Sequence, residues 1–483
     1  MNRLYPVLLL QIITLLTVTA QEPLQIQDDR QLFVDHYLID AMDNTELRLH
    51  HPVPEGAVLH FDKPWEGHFS GYSTIIKDGP LFKAYYRGVR EAGSDGRDGE
   101  TTCIALSTDG IHWTKPELGL FEVNGSKKNN IVLAHAAPVT HNFSPFIDQN
   151  PACKPEEKYK GVGGTSKSGL IAYSSPDGIH WTKMQEEPVF TTGVFDSQNV
   201  VFWSESENQY VCYFRTWSDG GFTEYKGFRT VSRTTSKDFI HWTDPVKMTF
   251  GGTPPEHLYT QQTSPYYRAP QIYLAIGARF MPGRQVLSTA QAEALDVNPK
   301  YFKDCSDAFI MSTRGGDRYD RTFMESYIRP EIGLQNWVSR SNYPALNVVE
   351  TGDTEMSLYV NENYAQPTAH LKRYSMRIDG FASLHAGYGS GTLVTKPLVF
   401  TGKELEINYS TSAAGSVRVE IQDEQGQPIP GFGLRDCQEI IGNELDRVVT
   451  WQENSNVQDL AGRTVRLKIR LKDADLYAFK FNE

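Results

Sequence analysis

A seven-residue phrase occurs three times in this chain and narrows what it can fold into. Ser107, Asp109, Gly110, Ile111, His112 and Trp113 are matched by Ser175, Asp177, Gly178, Ile179, His180 and Trp181. With one change at the glycine position, Ser236, Asp238, Phe239, Ile240, His241 and Trp242 match them again. The tryptophans stand between sixty and seventy residues apart, too far for a helical solenoid repeat and suited to a four-stranded propeller blade with long loops. Asp-Gly between apolar runs marks a tight hairpin, because glycine takes the positive φ such a turn needs. Ser and Asp cap the turn's free N–H groups, and Trp fills the gap between blades. His112, His180 and His241 therefore read as structural, since equivalent positions on separate blades are too far apart to share one metal ion.

The rest of the composition agrees with a turn-rich all-β chain: 12% aromatic residues, 39 Gly and 26 Pro in 483 residues, and no long run with helical periodicity. Residues 1–20 read as a secretory leader, with Arg3, an apolar centre from Val7 to Leu16, and small residues ending at Ala20 before Gln21. The mature chain is expected in the periplasm or the medium. No cysteine follows the cut, which speaks against a lipid anchor, and no later stretch has the length of a membrane span. The five cysteines are scattered without a metal-type pair, and Cys103 and Cys212 read as buried thiols. A net charge of −12 without a basic tract argues against nucleic acid and anionic membranes as partners. A monomer or small homo-oligomer is expected.

The expected architecture is a five-bladed β-propeller over residues 21–388 followed by a β-sandwich over 389–483. Blades begin near Phe69, Asn142, Gln198, Gln271 and Met356, and the apolar run from Leu32 to Ile39 is expected to close the ring. From about residue 390 the strands alternate apolar and polar side chains without the phrase, as a sandwich does.

In an antiparallel meander, the start of the first strand and the end of the second lie at the same end of the blade. One mouth should therefore collect Asp62, Glu66 and His68 (blade one), His141 and Asn142 (two), Asp196 and Asn199 (three), Glu256, His257 and Tyr259 (four), and Glu350 and Glu355 (five). Asp148 lies further along its strand. Arg87, Arg215 and Arg279 follow second strands, with Arg373 and Arg377 as candidates in blade five. Carboxylates move protons, and planar guanidinium groups grip carboxylate or sulfate with two prongs, so this is a sugar-site pattern. Each residue alone also fits a turn cap or a surface ion pair. The recurrence of arginine at the same step in three blades sets the group apart.

On these features, together with Pro64, Trp65, Glu66 and Gly67 in the first blade, the chain resembles the five-bladed propeller glycosidases of the invertase, levanase and arabinanase superfamily. More closely it resembles a group of exported bacterial proteins related to their N-terminal domain. The resemblance implies a glycoside hydrolase acting on an oligo- or polysaccharide, with Glu66 or Asp62 as nucleophile or base, Asp196 or Asp148 as the middle acid, and Glu256 as general acid. The Asn-Asp-Pro-Asn-Gly, Arg-Asp-Pro and Glu-Cys signatures of invertases are absent. A second reading follows from the arginines. If they bind a uronate carboxylate, the neighbouring C–H becomes acidic enough for His68, His141, His257 or Tyr259 to remove, giving lyase or dehydratase chemistry. A third is a non-catalytic sugar-binding propeller. No reading requires a cofactor, and a structural calcium ion at the funnel floor is compatible with the sequence without being demanded by any ligand spacing.

Overall fold

The computed structural model describes residues 22–482, so the leader expected at 1–20 lies outside the described residues. Each phrase is a turn held by its own side chains. Asp109 Oδ1 accepts from the backbone N–H of Ile111 and of His112, each at 2.8 Å, and Ser107 Oγ accepts from Gly110 N–H at 2.9 Å. His112 Nδ1 lies 2.7 Å from Asp109 Oδ2, and Trp113 Nε1 donates to Gly110 O at 3.1 Å. The bond from His112 is the main reason the Asp109 carboxyl is held far below the usual range. The same set recurs around Asp177 and Asp238, so the three histidines are turn braces, as expected.

Glycine is needed in this turn because the preceding blade reaches into it. Tyr85 donates to Gly178 O at 2.8 Å, and a Cβ on Gly178 would lie 2.4 Å from the Tyr85 hydroxyl. Tyr359 of blade five makes the same bond to Gly110 O. In blade two, Val162 stands two residues past Lys160 as Tyr85 stands two past Lys83. That shorter side chain leaves room for Phe239, which takes the glycine position at φ 69° and packs on Phe146 and Tyr210.

Five sheets make the ring. Blades one to three are four-stranded, starting at Gly71–Asp78, Ser144–Ile147 and Val200–Ser204. Inner strands are sandwiched between neighbouring blades, so they read as near-continuous apolar runs, and Val200–Ser204 is buried at every position. Cys103 and Cys212 are buried free thiols, as expected, in the third strand of blade one, Thr101–Ser107, and the second of blade three, Gln209–Trp217. Blade four uses Thr263–Tyr266, Ala269–Met281 and Cys305–Thr313, with single bridges at Ile328 and Asp320 in place of a fourth strand. Its second and third strands are joined by a long insertion that holds the only α-helix among the described residues, Thr289–Ala294, started by a Ser288 capping box.

The sequence expectation about the strand that closes the ring needs correction. The outer strand of blade five is Val53–His60, paired with His370–Arg377, not the run from Leu32 to Ile39. That run belongs with the trailing module. Leu24–Gln27 pairs with Leu398–Phe400, Gln31–Leu32 with Arg466–Asn482, Ile39–Asp43 with Gly391–Thr395, and Glu46–Leu49 with Ala382–Ala386. The described chain therefore runs first through the second module, lends one strand to the ring, and returns. The β-sandwich expected from residue 389 takes the form of one wrapped eight-stranded network in which Glu404–Gln422 and Arg466–Asn482 run alongside each other, irregular between Thr411 and Ser416, around a core that includes Tyr409, Trp451 and Phe479.

The N-terminal segment also replaces what blade four has lost. Where the phrase decays after Ser312, Asp35 supplies the missing carboxylate, accepting from Ser312 Oγ at 2.6 Å and pairing with Arg314. Burial pushes the Asp35 carboxyl up, but Arg314, Ser312 and the Tyr37 N–H outweigh it and hold the pKa below its usual value. Its contribution is thus complete above the unfolded carboxylate pKa of about 3.9 and is lost as pH falls through the lower folded value. Asp35→Asn is expected to lower unfolding free energy by about 2 kcal/mol near neutral pH. In urea titrations from pH 7 to pH 3 the difference from the parent should shrink towards the acid end.

Among the described residues, no helix is long and apolar enough to cross a membrane.

Candidate active site at the propeller mouth

The side chains that converge on the axis are mainly arginines and tyrosines. Blade one contributes Tyr72, at the start of its first strand, and Arg87, near the end of its second strand Leu81–Gly88. The Arg87 guanidinium lies 4.8 Å from the centre of the Tyr72 ring, donates to Phe69 O at 2.7 Å, and meets His141 Nδ1 at 3.2 Å. His141 ends a short turn, Val139–His141, ahead of blade two, and its Nδ1 lies 3.0 Å from Glu100 Oε2, with both side chains buried. Blade three brings Asp196, ion-paired with Arg215, and Arg229 at the head of Arg229–Ser236. Tyr259, ahead of blade four, is surrounded by cations: Arg215, Arg229 and Arg340 lie 4.6, 5.2 and 5.7 Å from its ring centre.

Arg340 and Tyr301 arrive from the two long segments around blade four's third strand. These segments pack on each other through Leu287, Phe302 and Val338 and form one wall of the mouth. Arg340 takes φ 62°, sits 5.1 Å from the Tyr301 ring centre, and makes no ion pair or hydrogen bond among the described residues. Tyr343 and Tyr364 complete the cleft with Ser70 and Asn361. The cleft continues past Arg87 and Arg340 to Glu100, His141 and Asp95.

The charge balance in this cleft is positive. Arg87, Arg215, Arg229 and Arg340 face the half-buried carboxylate of Asp196 and the buried one of Glu100, with Asp95 more exposed at the rim. Burial raises the Asp196 pKa, but Arg215 overrides this and leaves the carboxyl below its usual value, hence ionised. Burial pushes the Tyr72 and Tyr343 phenols well above 10, so both remain protonated donors. Burial, then Arg229, lowers the His257 pKa and keeps that ring neutral near pH 7. The hydroxyl of Tyr343, the Ser70 Oγ, the Asn361 Nδ2 and the Arg87 Nε are all buried without a partner among the described residues. A cleft whose unpartnered groups include two guanidinium-bearing side chains and several donors is built for an anion.

Of the residues expected at the mouth, Arg87, His141, Asp196, Arg215 and Tyr259 gather there, with His257 beside Arg229 and His68 against Phe69 at the rim. Asn142 and Asn199 are buried braces. Their amides donate to Phe195 O and Ser197 O, fixing the loop that carries Asp196.

The remaining candidates lie elsewhere. Glu66 is buried on the outer side of blade one, bonded by Lys115 Nζ and Tyr86 OH, both at 2.6 Å, and Asp62 shares the same lysine at 2.9 Å. Glu256 is clamped by Arg279 at 2.8 Å and Arg321 at 3.0 Å, and Arg279 is also held by Asp307, so this group forms a closed network beside the cleft. Asp148 sits at the opposite end of the ring, where Lys160 of its own blade and Tyr210 of the next hold it, each at 2.7 Å. Asp78, Lys83 and Tyr159 repeat that staple between blades one and two. Glu355 is also at the opposite end, paired with Arg373 and bonded by Thr351 next to Gly110. Glu66, Asp196 and Glu256 therefore do not converge.

Tyr72, Glu100, Arg229, Tyr301, Arg340, Tyr343 and Tyr364 were not expected. Tyr72 and Tyr343 stand at the heads of first strands, where the meander rule points. The far end of the axial channel holds a larger cavity of about 470 Å³, lined by apolar residues of all five inner strands such as Ile75, Phe146, Phe202, Tyr266 and Val349. It lacks the convergent arginines. Among the described residues, no three His, Cys, Asp or Glu side chains stand close enough together to hold a metal ion.

No protein-family model matches the sequence, and no curated relative matches it. Among solved structures, the chain is similar to a glycoside hydrolase at 12% identity, covering 68% of this chain and 92% of that one with a TM-score of 0.44. It is similar to an N-acetylgalactosamine deacetylase from F. plautii at 12% identity, covering 69% and 96%, TM-score 0.43. A third similarity is to a family 43 arabinoxylan arabinofuranohydrolase from Bacillus subtilis at 10% identity, covering 87% and 97%, TM-score 0.41. The five-bladed arrangement stands on the strand pairing described above.

Proposed function

We propose that this protein is an exported carbohydrate-active enzyme whose cleft takes an acidic saccharide through its carboxylate and acts by removing the proton beside that carboxylate. The observation that carries the reading is Arg340, a guanidinium among aromatic rings with no carboxylate of its own, facing Arg87 across one cleft. Holding such a charge without a partner is costly unless a ligand completes it.

The chemistry follows from the neighbours. Arg87 and Arg340 draw electron density onto the bound carboxylate and stabilise the enolate-like charge that develops when the α proton leaves. Glu100, an acceptor when ionised, lies closer to His141 Nδ1 than Arg87 does and favours the tautomer with the proton there, which leaves Nε2, 3.5 Å from an Arg87 nitrogen, as the base. The electron pair of the broken C–H bond becomes a carbon–carbon double bond, and the glycosidic oxygen leaves with a proton from a neutral phenol such as Tyr72. The products are an unsaturated uronate and a shortened saccharide.

Hydrolysis is the second reading, favoured by the placement of Asp196 and Glu100 in the same mouth. The expected result on a panel of neutral, uronic and sulfated oligosaccharides is turnover of uronic substrates, with near-ultraviolet absorbance from the conjugated product. His141→Asn should abolish it. New reducing ends without that absorbance would favour hydrolysis instead.

A further inference from the structure

On the reading of an acidic saccharide in the cleft, we propose a second acidic-sugar subsite on blade three, in which Arg229 binds the charged group and Trp217, Tyr225 and Phe228 form the ledge on which the sugar stacks. The substrate then carries acidic groups on two neighbouring units.

Arg229, like Arg87 and Arg340, makes no ion pair with a carboxylate among the described residues. Its ring neighbours are Trp217, Phe280 and Tyr259, at 4.8, 5.0 and 5.2 Å from the respective centroids. Its Nε is buried without an acceptor, as is the Trp217 Nε1. Burial and then the nearby Arg215 both lower the Arg229 pKa, so its charge is held against the local field. His257 Nδ1 accepts from the Arg229 backbone N–H at 3.1 Å, which leaves the imidazole proton on Nε2 as a further donor. The Arg229 Nε, the Trp217 Nε1 and the His257 Nε2 are thus all donors at this place. Beside them are aromatic faces open to solvent: Tyr225 and Phe228 are 55% and 38% exposed, Tyr225 packs 6.0 Å from Trp217, and Phe228 packs 4.9 Å from His257. Donors aimed at an anion next to exposed rings are what a charged sugar needs. Arg229 and Arg340 both flank the Tyr259 ring, close enough for one oligosaccharide to meet both.

The alternative is that Arg229 only packs the aromatic cluster, and binding measurements separate the two. Probes are uronic disaccharides with both acids free and each of their two mono-methyl esters, titrated calorimetrically into the parent, Arg229→Gln, Arg229→Lys and Arg340→Gln. In the parent, each esterification should weaken binding by roughly 10- to 100-fold, the worth of a hydrogen-bonded charge. In Arg229→Gln, one ester should bind as well as the free diacid, and in Arg340→Gln the other ester should, while Arg229→Lys restores part of the discrimination. If Arg229→Gln weakens all three probes equally, or the parent discriminates against only one ester, the second subsite is overturned and the acidic-saccharide reading stands. If the parent binds none of the probes, both are overturned.

Discussion

Arg340→Gln should cost the protein nearly all turnover of acidic saccharides while leaving it at least as stable as the parent. Truncating a charged partner in a desolvated site costs about 2–5 kcal/mol, so kcat/KM should fall by a hundredfold or more. The stability half of the prediction has a separate cause. Arg340 has no protein carboxylate among the described residues to leave unpaired, and it stands near Arg215 and Arg229 around one tyrosine ring. Removing it relieves like-charge repulsion, and urea midpoints should be unchanged or higher. A parallel fall in activity and stability would instead make Arg340 a strut of the mouth wall. Full activity on every acidic saccharide the parent turns over would remove the basis of the proposed function.

Arg340 carries no local signature in the sequence, whereas three of the blades do. Blades one to three are legible because Ser107, Asp109, Gly110 and Trp113 and their equivalents complete their turn within seven residues, and local chemistry is visible in sequence. Blade five carries no phrase. Its first turn, between Val349–Gly352 and Glu355–Glu362, therefore gives no sign of itself. Starting that blade at Met356 shifts the register by one strand, which places Glu355 at the mouth and hides Arg340, Tyr343 and Tyr364. The closing strand is missed for a related reason. Val53–His60 lies on the outside of the ring, mostly exposed and containing Pro54 and Gly56, so it lacks strand-like alternation. The apolar run after Leu32 is apolar because Leu32 and Val34 are buried with Leu274 and Ala478 between the two modules.

Carboxylates pose a different problem, because a sequence shows where the acid is but not what neutralises it. Glu66 is the clearest case and leads to the second large effect. Its carboxylate is buried and accepts from Lys115, Tyr86 and the Lys63 N–H, at 2.6, 2.6 and 3.0 Å. Breaking a buried pair by removing one partner leaves an uncompensated charge and costs about 3–5 kcal/mol. Lys115→Met is therefore expected to lower unfolding free energy by about 3 kcal/mol, since two neutral donors remain on Glu66. Adding Glu66→Gln in the same chain should recover much of that loss, because the orphaned charge is gone, and the double-mutant cycle should show a coupling well above that of an exposed pair. Glu66→Gln alone should keep turnover within a few fold of the parent. A thousandfold loss of activity in Glu66→Gln with unchanged stability would return Glu66 to the role of nucleophile or base that the glycosidase resemblance implies, and would move the reacting centre from the arginine-lined mouth to the outer side of blade one.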